Sequence, residues 1–192
     1  MITRLRLRTA LLGVALVAVA LAGCASGTSS ISTPMMGGGS QYHSAALTCS
    51  APASLPGAVV RVELGDMGMT QMMGGTAPMG AQMRLQATPA TEPAGPISLV
   101  VSNVGWRTHE LVILPLATGA VVGQRVLGSD GKVSETGSLG EASSSCASGA
   151  GTGLTSGSVG WVTVTLTPGR YELLCNLPNH YADGMHQELT IT

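Results

Sequence analysis

The stretch Tyr171-Glu-Leu-Leu-Cys175-Asn-Leu-Pro-Asn-His180-Tyr-Ala-Asp-Gly-Met185 constrains this chain more than any other part of it. It sets a thiol, an imidazole and a thioether with four residues between each. Residues 170–174, Arg-Tyr-Glu-Leu-Leu after the turn signal Pro168-Gly169, lead into it, and residues 185–192, which alternate apolar and polar, lead out. Two strand-like runs around one loop imply a sheet that grips both loop ends, so the three side chains cannot drift apart. Soft sulfur donors together with imidazole select copper, and a Cys with two His and a weak, long axial Met is the arrangement of an electron-transfer copper centre.

The rest of the chain reads the same way. Residues 58–64 start apolar and then alternate; residues 97–103 are β-branched between Gly95-Pro96 and Gly105; residues 110–114 are a short apolar run stopped by Pro115; residues 161–167 alternate cleanly. Short strands punctuated by Gly and Pro, with no sustained helical period, predict an all-β sandwich. Residues 128–158, rich in Gly and Ser, predict a long irregular crossover with a short helix over residues 139–145. No internal repeat is evident.

The N-terminus carries an address. Arg4, Arg6 and Arg8 precede an almost purely apolar run from Ala10 to Ala22, closed by Leu21-Ala22-Gly23-Cys24. This is the layout of a signal peptide, and the run is shorter than the ~20 residues a membrane-spanning helix needs. Residues 1–23 are therefore expected to be a lipoprotein signal peptide, with Cys24 the lipidated residue that holds the protein to the membrane on its extracytoplasmic face. Residues 24–45, rich in Ser, Thr and Gly, predict a flexible tether, and residues 46–192 one domain. From Cys24 onward six basic residues face ten acidic ones, a balance of −4. Nucleic-acid binding needs clustered Lys and Arg, which are missing, so that class of partner is excluded.

Cys49 and Cys146 remain once Cys24 and Cys175 are assigned. In an oxidising compartment they are expected to bridge, closing a loop of about 97 residues, with two free thiols as the alternative. The metal site needs a second imidazole. His43 lies in or near the tether, and His186 follows Met185 on a strand and so points to the opposite face. His109, at the entrance of the apolar run 110–114, is the candidate. Zinc on the same residues is the rival metal, although Met is a poor zinc ligand.

With an upstream His, a Pro two residues before the loop His, Gly184-Met185 and a terminal strand, the motif resembles the cupredoxins, and its loop spacing is most similar to their rusticyanin and sulfocyanin branch. The likeness covers His109 and residues 170–192 closely and the strand pattern from residue 58 more loosely. It implies a Greek-key β-sandwich, one copper held by His109, Cys175, His180 and Met185 at one end, and single-electron exchange with redox partner proteins by a monomer. Two positions depart from the family pattern: Glu110 stands where Asn often follows the first His, and Asn176 where Ser or Thr often follows the Cys. Copper enzymes of related type carry further histidines flanking the Cys, but here the neighbours are Leu174 and Asn176, so no catalysis is expected.

Residues 67–83 hold Met67, Met69, Met72, Met73, Met79 and Met83, broken by glycines and Pro78. Thioethers suit Cu(I), so Met67, Met69, Met72 and Met73 form a candidate second copper site and motivate an alternative function, Cu(I) storage or delivery. Met also fills irregular apolar gaps without binding metal.

Overall fold

The computed structural model describes residues 44–66 and 82–192. The expected signal peptide, Cys24, His43, nearly all of the expected tether, and Met67, Met69, Met72, Met73 and Met79 lie outside these residues.

Among the described residues, nine strands form two sheets. The first has the order β2-β1-β4-β7, built from β1 (Ala58–Asp66), β2 (Met83–Thr88), β4 (Gly95–Asn103) and β7 (Val159–Leu166). The second has the order β3-β9-β8-β5-β6, from β3 (Thr91–Glu92), β5 (Leu111–Pro115), β6 (Gly140–Ala142), β8 (Gly169–Leu174) and β9 (His186–Ile191). Both sheets are mixed: β1 runs parallel to β4, and β3 parallel to β9, while the other pairs are antiparallel. The chain passes between the sheets five times, after β2, β3, β4, β6 and β7, and the all-β sandwich expected from the strand pattern is what forms.

Alternation explains the core. Val60, Val62 and Leu64 of β1 and Ile97, Leu99 and Val101 of β4 face Leu111 and Ile113 of β5, Tyr171 and Leu173 of β8, and Leu189 and Ile191 of β9 in one buried cluster. Strand β5 is apolar at every position because both its faces are covered. Val112 and Leu114 point the other way, into a second cluster with Leu174, Val133 and Tyr181. The excursion between β5 and β6 lies over that outer face, with Glu172 of β8 buried beneath it, where the carboxylate binds Arg125, the Gly123 N–H and the Tyr181 hydroxyl.

Two expectations are corrected. Residues 139–145 form no helix; Gly140–Ala142 is β6, paired with β5, and the Leu139 N–H donates to the Ile113 carbonyl at 2.9 Å. Gly140 fits there because a Cβ would come 2.7 Å from Val164 of the facing sheet. Met83, counted with the Met-rich segment, belongs to the core: it opens β2 and is buried. Strands β2 and β3 have no counterpart in the sequence reading. Cys49 and Cys146 do form a disulfide, across a sequence separation of 97.

Candidate metal centre

The register brings the ends of β1, β4 and β8 together with the starts of β2, β5 and β9, since Asp66 pairs with Met83, Leu64 with Asn103, Val112 with Leu174 and Leu174 with His186. The site is built on this end of the sandwich.

Asn103, wholly buried, organises the approach to His109. Its amide donates to the carbonyls of Arg107 and Leu154, both at 2.7 Å, and its oxygen accepts the Gly105 N–H at 2.9 Å. The turn between them is thereby fixed, and the backbone of His109 is clamped on both sides by Leu154, with bonds of 3.1 and 2.6 Å. The loop from Cys175 to Met185 is closed by its own backbone: the Cys175 N–H donates to the Met185 carbonyl at 3.0 Å, and the Met185 N–H to the His180 carbonyl at 3.2 Å. Asn176 clasps this loop to its neighbour, accepting the Val133 N–H at 2.7 Å and donating to the Val133 carbonyl at 2.9 Å. The Asn at this departure from the family pattern is thus spent on anchoring the loop.

His109, Cys175 and His180 converge, all buried, with one ligand atom from each lying within 4.8 Å of the others. His109 Nδ1 is 3.2 Å from His180 Nδ1, which is 3.3 Å from Cys175 Sγ. His109 Nε2 lies 3.0 Å from Asp66 Oδ2. A carboxylate only accepts, so Nε2 carries the hydrogen and Nδ1 the lone pair. Nitrogen ligands on bonds of about 2.0–2.1 Å stand roughly 3.3 Å apart at a tetrahedral angle, so the donor triangle has the size of a single first-row ion. Met185 is fully buried on the same loop and shares an apolar cluster with Cys175. The donor chemistry and the spacing fit copper.

The electrostatics are those of a dry site. Burial pushes the Cys175 thiol up to about 12, against the N–H groups of Leu177 and Glu110, and pushes His180 down to about 4, with His109 adding to the effect. Without metal the centre therefore holds a thiol and a neutral His180 at pH 7, and a metal ion must displace the thiol proton. The Glu110 N–H donates to Cys175 Sγ at 3.3 Å, so at that departure from the family pattern the backbone serves the sulfur. Burial alone would raise Asp66, but hydrogen bonds from His109 and from the amides of Arg107 and Trp106 outweigh it and hold the carboxyl below its usual value.

The structure thus unites His109 with Cys175 and His180, as the sequence suggests, and keeps His186 apart, its ring 5.1 Å from that of Tyr181. Sequence reasoning missed Asp66, a lone acid at the end of a strand with no spacing that ties it to residue 109.

No family model matches the chain, and no curated protein does. Solved structures similar to it include auracyanin from the photosynthetic bacterium Roseiflexus castenholzii, 24% identical over 55% of this chain and 86% of that one, with a TM-score of 0.38. Auracyanin B is 20% identical over 78% of this chain and 99% of its own, with a TM-score of 0.43. Rusticyanin from Thiobacillus ferrooxidans is 16% identical over 80% of this chain and 99% of its own, with a TM-score of 0.44. Rusticyanin is described as a copper protein.

Proposed function

We propose that this chain is an exported, lipid-anchored mononuclear copper protein of the cupredoxin kind, carrying single electrons between partner proteins as a monomer without catalysing a reaction of its own. One observation carries the reading: two imidazole Nδ1 atoms and a cysteine sulfur converge, all buried, on a hydrogen-bonded frame at one end of a β-sandwich. Copper bound there supplies a one-electron couple. The residues do the rest. Their burial excludes water, and the Glu110 N–H spreads the charge of the sulfur. The clamps on His109 and on the loop are backbone and amide bonds independent of the ion's charge, so the ligands have little cause to move on reduction. Met185, buried on the same loop, would supply a thioether as the fourth donor. His180, at 8% exposure against 0% for the other three, is the ligand through which a partner makes contact. Arg4, Arg6, Arg8 and Leu21-Ala22-Gly23-Cys24 support export and anchoring, and the Cys49–Cys146 disulfide suits an oxidising compartment.

The test is an absorption spectrum. Purified protein loaded with Cu(II) is expected to show an intense visible band from thiolate-to-metal charge transfer, and Cys175→Ser to lose it. A band that survives in Cys175→Ser overturns the ligand assignment.

A second reading, Cu(I) storage or delivery by Met67, Met69, Met72 and Met73, is favoured by where their segment is rooted. Asp66, before it, bonds His109, and Met83, after it, donates its N–H to the Asp183 carbonyl at 3.0 Å, two residues short of Met185. Several Cu(I) per chain, lost when those methionines are replaced, would favour this reading over one copper per chain.

A further inference from the structure

We infer that Asp66 is a positioning residue for His109 and that its buried negative charge lowers the reduction potential of the bound ion. This rests on the copper reading above. Asp66 closes β1 at the site end, and its side chain is 3% exposed. Three N–H groups point at it: His109 Nε2 at 3.0 Å and the Arg107 amide at 2.9 Å on Oδ2, and the Trp106 amide at 3.2 Å on Oδ1. A group ringed by donors is an acceptor on both oxygens, which is the ionised state. Gly105 lies directly against the pair; a Cβ there would come 2.5 Å from Asp66 Oδ2 and 3.0 Å from His109 Nε2. The turn is thus shaped to let carboxylate and imidazole meet.

Two effects follow. Fixing the hydrogen on Nε2 turns the Nδ1 lone pair toward Nδ1 of His180 and the ligand cluster. A full negative charge one imidazole ring away, in a site that excludes water, stabilises a doubly charged ion more than a singly charged one. A neutral acceptor in the same place would give the first effect without the second.

The bland account is that Asp66 only caps the turn by accepting the amides of Trp106 and Arg107. That role would not move a potential. Asp66→Asn separates the two, because its carboxamide oxygen can still accept from His109 and Arg107 while the charge is gone. The copper-loaded variant is expected to keep its visible band, with the ratio of Cu(II) to Cu(I) affinity reduced about tenfold or more, which for a one-electron couple raises the potential by about 59 mV. A ratio within about twofold of wild type overturns the inference. Should the variant not fold, nitrogen NMR of the metal-free wild type decides the positioning role. His109 protonated on Nε2 supports it, and His109 protonated on Nδ1 overturns it. Wild type that takes up no copper sinks the copper reading and the potential effect with it, and the tautomer then still decides whether Asp66 positions His109.

Discussion

Glu110 serves the centre with its backbone and burdens the fold with its side chain. Its N–H points at Cys175 Sγ, while its carboxyl is buried and pushed from 4.5 up to about 7, first by burial and then by Glu141. A carboxyl raised in this way leaves stability whole below its unfolded value of 4.5 and costs stability as the pH rises through about 7. Glu110→Gln in the metal-free protein is therefore expected to match wild type at pH 4 and exceed it by up to about 3 kcal/mol at pH 8. Urea unfolding at both pH values checks this, and an equal difference at the two would contradict it. His109, Cys175 and His180 were legible because soft-metal ligands are so few in kind that suitable residues clustered on one loop stand out and call for an upstream imidazole to match them. Asp66 was not, because an acid is an ordinary residue at a strand end and only the fold carries it to His109.

At the scale of elements, β5 shows what a periodic pattern can and cannot say. Its short apolar run signalled a strand, but not that both its faces are covered, nor what lies over the second. The cover is the excursion whose Val133 and Leu127 pack on Val112 and Leu114, and its Gly- and Ser-rich composition gave no hint of that task. The expected helix at residues 139–145 failed for a related reason: Glu141 and Ala142 suit a helix locally, but pairing with Leu111 and Val112 satisfies their backbone instead. The Cys49–Cys146 disulfide ties the start of the domain to the segment that also presents Leu154 to His109. Replacing both cysteines with Ala is expected to cost about 4–5 kcal/mol in the chain-entropy account. It should also quicken copper loss, because the segment clamping His109 is freed. Denaturant unfolding and the rate of copper transfer to a chelator measure the two effects, and a full loss of stability with an unchanged release rate would detach the disulfide from the site.

At the scale of the whole molecule, the frame is held by its own apolar core. One apolar cluster joins both sheets, and the site occupies an end of it. Copper-free protein is thus expected to keep its β-sheet circular dichroism. Copper then adds stability only through mass action, roughly 4 kcal/mol at a free concentration a thousandfold above the dissociation constant. Loss of the sheet signal when copper is stripped would show that the metal organises the fold. The sandwich was legible from strand lengths and turns; the parallel partnerships of β1 with β4 and of β3 with β9 were not, since they join segments far apart in the chain.

The partnership of β3 with β9 also sets a timetable. Strand β9 lies between β3 and β8, and it begins one residue beyond Met185. Until that segment has been synthesised, β8 has an open edge and the loop from Cys175 has nothing to close against. The frame that holds these side chains is complete only once this strand is in place, so a half-made chain offers stray ions no finished trap.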